Sequence, residues 1–282
     1  MKLRAPDLFV VSLALVLLAA TSLMSRTSAE WLALGLIILA GIPHGSFDLR
    51  AAERLWGSSA PRRVSVIVAY IVIGVSMSAL CLLWPSVGLS IFLIISAVHF
   101  AEGERLSSSS FSATILGVGA ILLPISYHLP EARQYLGFFA SGEALTAIEP
   151  FLRASGVVLS VLVALTIGYD YRVRPDSEVL QKLVCLVAWI ILPPLSGFCV
   201  WFIGRHSRQH LQRSKHYLSG PILSKGVPID FIVLSILAIA LIAPLSFWFD
   251  LNDIHQLFAA SIVLIAGLTL PHMIVTHISD RS

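Results

Sequence analysis

Nine of the 282 residues are histidine, and six of these recur in short polar blocks between long apolar runs. His206 and His210 lie four apart in Gly204-Arg-His-Ser-Arg-Gln-His210. On a helix that spacing puts both imidazoles on one face, one turn apart, which suits two ligands of a single metal ion. His44 sits in Gly41-Ile-Pro-His-Gly-Ser-Phe-Asp48, and His99 in Ser96-Ala-Val-His-Phe-Ala-Glu-Gly-Glu104. His272 and His277 share Leu270-Pro-His-Met-Ile-Val-Thr-His277. Imidazole suits zinc, copper, iron and nickel. A histidine ligand usually passes its second N–H to a carboxylate or carbonyl. Asp48 follows His44 by four and Glu102 follows His99 by three, so either carboxylate could serve as such a partner or as a ligand. His272 and His277 are five apart, on different helix faces, so at most one of them points at a common centre. No Ser-His-Asp or Cys-His set is apparent, so the chemistry would be metal-centred and not nucleophilic.

The elements that must position these residues follow from composition. The chain is 57% apolar and 12% charged, with mean hydropathy +0.87. A soluble domain carries about 25% charged residues, so a soluble enzyme is excluded and an integral membrane protein is expected. One bilayer crossing takes about 20 apolar residues. The reading is an all-α polytopic bundle of about 8–10 transmembrane helices, in a single membrane-embedded domain over residues 1–282. Candidate spans are 8–24, 31–42, 64–84, 87–101, 111–129, 135–151, 156–169, 179–203, 229–249 and 256–278. The first is signal-like, with Thr27-Ser28-Ala29 after it, but longer than a usual signal core. Pro193-Pro194 should break the eighth, and Pro124, Pro244 and Pro271 invite further interruptions.

Lys and Arg collect in cytoplasmic loops. Lys2 and Arg4, then Arg50, Arg54, Arg62 and Arg63, then Arg205, Arg208, Arg213, Lys215 and Lys225 fall on one side of a ten-span chain; Arg172 and Arg174 dissent. The expected location is the cell inner membrane, with the N-terminus cytoplasmic. His44, His99, His206, His210, His272 and His277 then all end even-numbered spans, at one membrane depth. For His128, His216 and His255 the plainer role of helix-end partner or interfacial side chain is preferred.

Other classes drop out. The charge of +3 is too small to suggest nucleic acid. Cys81, Cys185 and Cys199 lie in apolar stretches and read as buried hydrophobes. Lys2, Lys182, Lys215 and Lys225 stand at ends or in loops, so no span offers an opsin's Schiff-base lysine. There is no H-E-x-x-H and no nucleotide-binding glycine loop.

The blocks Pro43-His44-Gly45 with Asp48, His99-Phe100, His206-Ser207 with His210, and Pro271-His272-Met273 resemble, in order, those of the Brp/Blh family of bacterial and archaeal β-carotene 15,15'-dioxygenases. The resemblance runs from about Gly41 to His277. It implies a membrane enzyme holding non-haem Fe(2+), which with O2 cleaves the central double bond of β-carotene to two molecules of retinal. It implies His44, His99, His206 and His210 as iron ligands; it does not make His272 a ligand, which is placed only near the site, and Asp48 and Glu102 stand beside the set by their spacing. The implied partners are a carotenoid, O2 and the lipid bilayer, and retinal as product raises a functional link to an opsin. Arg205 and Gln209 stand where the family has an aromatic and an arginine, and His-Phe-Ala replaces His-Phe-Gly. Phe47, Phe100, Trp201 and Phe202 flank the metal blocks, as tunnel walls or as plain packing and lipid-facing aromatics. Two rival readings stay open: a histidine-rich metal transporter, and a structural or accessory membrane protein. A transporter would place its site nearer the midplane of a span.

Overall fold

A computed structural model describes residues 4–105, 108–173, 178–217, 232, 235, 236 and 240–279; for 41–44, 46 and 213–217 the backbone alone is described. Among the described residues there are helices and no strand. In chain order they are α1 (Ala5–Leu23), α2 (Arg26–His44), α3 (Asp48–Trp56), α4 (Ala60–Leu83), α5 (Pro85–Glu104) and α6 (Ser110–Tyr127). Then come α7 (Leu129–Leu136), α8 (Gly142–Val173), α9 (Val179–Ile191), α10 (Pro194–Trp201), α11 (Arg208–Tyr217) and α12 (Ile254–Ser279). Two short links matter for the site: a 3-10 turn at Gly45–Phe47 and a π-helical turn at Phe202–Ser207.

Proline and serine set many of the boundaries. Pro6, Pro61, Pro85, Pro130 and Pro194 stand at or just inside helix starts, where a missing N–H costs nothing. Ser109 caps α6, its Oγ accepting from the Ser112 N–H at 3.2 Å. Pro193-Pro194 breaks the eighth apolar run as expected: Leu192 turns extended between α9 and α10. Pro244 lies in a 3-10 turn, Ala243–Phe247. By contrast, α6 and α12 continue through Pro124 and Pro271, so those two interruptions do not occur. The sixth and seventh expected spans are redrawn as well. The sixth is split between α7 and the start of α8, and α8 continues unbroken through the seventh. Of the ninth, residues 229–231, 233, 234 and 237–239 lie outside the described residues, and 241–249 form turns instead of a continuous helix.

Among the described residues six helices are long and apolar enough to cross a bilayer, namely α1, α4, α5, α6, α8 and α12. The protein is therefore an all-α, multi-pass membrane bundle. On α4, Val64, Ile67, Val68, Ile71, Val72 and Val75 form an exposed apolar stripe at helical spacing, the side that lipid would cover.

The chain divides into two compact units, one of Met1–Ile37 with Leu93–Arg208, the other of Ile38–Phe92 with Gln209–Ser282. In the first, α6 packs on α8, α9 and α10, and α1 packs on α9, α10 and the π-helical turn. Gly117 brings α6 against α5; a Cβ there would stand 2.6 Å from the Ala101 nitrogen. In the second, α12 packs on α3 and α4. Gly74 and Gly267 make that contact backbone to backbone, since a Cβ on Gly74 would meet the Gly267 carbonyl oxygen at 2.9 Å.

Candidate functional site

In the first unit the π-helical turn carries His206 inward, 4% exposed, toward His99 on α5, 7% exposed. Their ring centroids are 4.9 Å apart and the rings meet edge to face. Aromatic rings enclose them. Trp201 stacks on the His206 ring at 5.2 Å and Phe202 at 5.6 Å, while Phe100 meets it edge-on at 4.9 Å. Phe47, Phe100, Trp201 and Phe202 are all buried, so none of the four is a lipid-facing aromatic. Phe198, not singled out from sequence, joins by stacking on Phe202 at 5.3 Å.

The carboxylates near His99 divide differently from the sequence expectation. Glu102 is half-buried; the buried one is Glu104, and Arg205 holds it. Arg205 donates from Nε to Glu104 Oε1 at 2.7 Å and from Nη2 to Oε2 at 2.6 Å. Its Nη1 lies 2.8 Å from Glu178 Oε2. Burial alone would push the Arg205 guanidinium down, but the Glu104 charge and hydrogen bonds outweigh it and hold it above its ordinary value. Arg205 is thus an internal cation of this unit and not, as its position suggested, one of five loop charges. Deeper in the same unit, Lys182 donates to Asp170 Oδ2 and Ser108 Oγ, both at 2.7 Å. That lysine is at the start of α9, as expected, but fully buried.

In the second unit Asp48 opens α3, directly after the Gly45–Phe47 turn. The His272 Nδ1–H on α12 donates to its carboxylate, with both oxygens at 2.8 Å. The Tyr70 hydroxyl on α4 donates to Asp48 Oδ2 at 2.9 Å. A Cβ on Gly45 would come within 3.7 Å of Asp48 Oδ2 and 3.8 Å of His272 Nδ1, so the turn lies close against the pair. His210 on α11 meets the His272 ring edge to face at 4.9 Å. Asp48, which spacing had offered as a partner for His44, is a partner of His272. His44 ends α2, and its side chain lies outside the described residues. His277 is half-buried in the last turn of α12. His128 has a structural place, capping α6 with Nε2 3.2 Å from the Ile190 carbonyl. His255 opens α12 half-buried, and the side chain of His216 lies outside the described residues.

Each unit thus brings two imidazoles together: His99 with His206 in the first, and His210 with a carboxylate-anchored His272 in the second. Among the described residues no cluster of three or more His, Cys, Asp or Glu side chains is close enough to hold a metal ion.

The sequence profile of the β-carotene 15,15'-dioxygenase family matches residues 35–280, a stretch that contains every one of these histidines. The chain belongs to that family. Membership places it among oxidoreductases of the dioxygenase class. One dioxygenase relative, a β-carotene 15,15'-dioxygenase from an uncultured marine bacterium 66A03, is 26% identical over 265 residues, covering 87% of this chain and 92% of that protein. Another, a probable β-carotene 15,15'-dioxygenase Blh of Halobacterium salinarum, is 25% identical over 286 residues, covering 86% of this chain and 82% of that protein. No solved structure matches. Tyr70 escaped the sequence reading, and Arg205 was read as a loop charge. A lone tyrosine in the apolar α4 run and an arginine set directly before His206 were the available signals.

Proposed function

We propose that this chain cleaves β-carotene at its central 15,15' double bond with O2, giving two molecules of all-trans-retinal, at an Fe(2+) held by His44, His99, His206 and His210. The observation that carries the reading is the family match across residues 35–280, which includes all four histidines. The buried, aromatic-walled pair of His99 and His206 supports it. Iron, when bound, supplies O2 activation, and neutral imidazoles leave it positions for that ligand. The protein's own residues do the rest. Asp48 accepts the hydrogen bond from the His272 Nδ1–H and so fixes that ring's tautomer and direction, with the Nε2 lone pair on the opposite edge of the ring. Phe100, Trp201 and Phe202 exclude water around His206 and offer flat apolar surface to a polyene. The carotenoid enters sideways from lipid, and Glu102, half-buried on α5, offsets the charge of the metal. The enzyme resides in the cell inner membrane with its N-terminus in the cytoplasm, as Lys2, Arg4 and the arginines at 50, 54, 62 and 63 direct. Retinal as product provides the functional link to an opsin.

Expression in β-carotene-producing cells should bleach them and yield retinal by chromatography. Persistent orange colour around a folded, iron-loaded protein would refute β-carotene as the substrate. His206→Ala should lose bound iron along with product; iron content equal to the unaltered protein would refute the ligand assignment.

A further inference from the structure

Arg205 and Glu104 are spare parts in the chemistry just described, yet they are among the most deeply buried charges in the first unit, at 0% and 1% exposure. Their places in the chain are informative. Glu104 is on the helix that carries His99, and Arg205 directly precedes His206. We propose that the Arg205–Glu104 pair is a positioning device that locks α5 to the π-helical turn and so sets the approach of His206 to His99. The inference rests on the proposed role of those two histidines as ligands.

Three observations carry it. First, the contact is a fork. Nε and Nη2 of Arg205 each meet a different oxygen of Glu104, at 2.7 and 2.6 Å. Two parallel bonds between planar groups fix rotation as well as distance, which a point charge does not. Second, the residues from Phe202 to Ser207 form a π-helical turn, a rare geometry that needs specific support against the tighter α-helix. Arg205 sits inside that turn and is anchored on a second side by Glu178 at 2.8 Å. Glu178 itself adopts a left-handed backbone, with φ 51°, as it enters α9. A non-glycine residue held there signals a local arrangement enforced by its surroundings. Third, the pair is a poor way to gain stability. A buried ion pair often contributes no more than apolar residues of the same volume would. Geometry is what the fork supplies and an apolar pair lacks.

The test separates geometry from folding. In the full-length protein in detergent, Co(II) serves as the probe, read by its visible absorption and its affinity. The unaltered chain and His206→Ala provide the reference and the ligand-loss control. A double variant, Glu104→Leu with Arg205→Met, removes both charges at once; Glu178 is partly exposed and reaches water, while Gln181 keeps Arg208 and Lys182 keeps Asp170. It should keep the helical content and unfolding temperature of the unaltered protein while binding Co(II) at least tenfold more weakly, with a shifted spectrum. Arg205→Lys keeps the charge and loses the fork; it should fall between the two, and it decides the question if the double variant does not fold. Unchanged affinity and spectrum in the double variant, or an Arg205→Lys protein identical to the unaltered chain, would overturn the positioning role while leaving the ligand set intact. A protein that binds no Co(II), or a His206→Ala variant that binds it normally, would overturn the ligand set and the positioning role together.

Discussion

Asp48 accepts from two sides, from an imidazole on α12 and from a phenol on α4, with less than a tenth of its surface exposed. A buried carboxylate is costly unless its lone pairs are met, and here both oxygens are. Asp48→Asn should lower stability by about 1.5–3 kcal/mol, the range for hydrogen bonds to a charged group, and Tyr70→Phe by about 1 kcal/mol. The two losses should not add, because they share one acceptor. Thermal unfolding of the single and double variants in detergent measures this, and strict additivity would contradict the shared contact. Sequence spacing drew attention to Asp48, His272 and the other histidines, since metal-type residues stand out in an apolar chain. It could not assign their partners. Spacing along a helix predicts only neighbours within that helix, whereas Asp48 finds its histidine 224 positions away.

The helices were easier to read, because apolar length and proline placement act locally. The break at Pro193-Pro194 followed directly, for the first of two prolines has no N–H to continue the ladder. Pro124 and Pro271 were harder, since neighbouring helices in a bundle can support a proline inside a helix that would end in isolation. The glycines at 74 and 267 set the contact of α4 with α12, and nothing in a periodic apolar pattern marks which small residues face a neighbour. A Cβ on Gly267 would run into Ser78 Oγ and stand 2.9 Å from the Gly74 carbonyl oxygen. The hydroxyl can swing away, but the backbone oxygen cannot. Gly267→Ala should therefore cost about 1–3 kcal/mol, an overpacking penalty. An unfolding temperature equal to that of the unaltered protein would show that α4 and α12 do not meet as closely as described.

At the scale of the whole chain, composition alone gave the membrane and the family match gave the dioxygenase class. The ionic interior of the first unit was not legible. Arg205 and Lys182 looked like markers of loops and helix ends, yet both are internal, Arg205 paired with Glu104 and Lys182 with Asp170. The second of these has a bearing on biogenesis. Asp170 lies near the end of α8 and Lys182 near the start of α9, only 12 residues apart in the chain. A lone charge resists entry into lipid, but these two can neutralise each other as the consecutive helices leave the insertion machinery side by side. The two helices would then enter the bilayer as one hairpin. Lys182→Ala should leave Asp170 uncompensated and reduce membrane integration of the 142–191 segment, and Asp170→Asn in the same chain should restore it. Glycosylation-site mapping of nascent chains would show both effects; equal integration of all three proteins would mean that each helix enters alone.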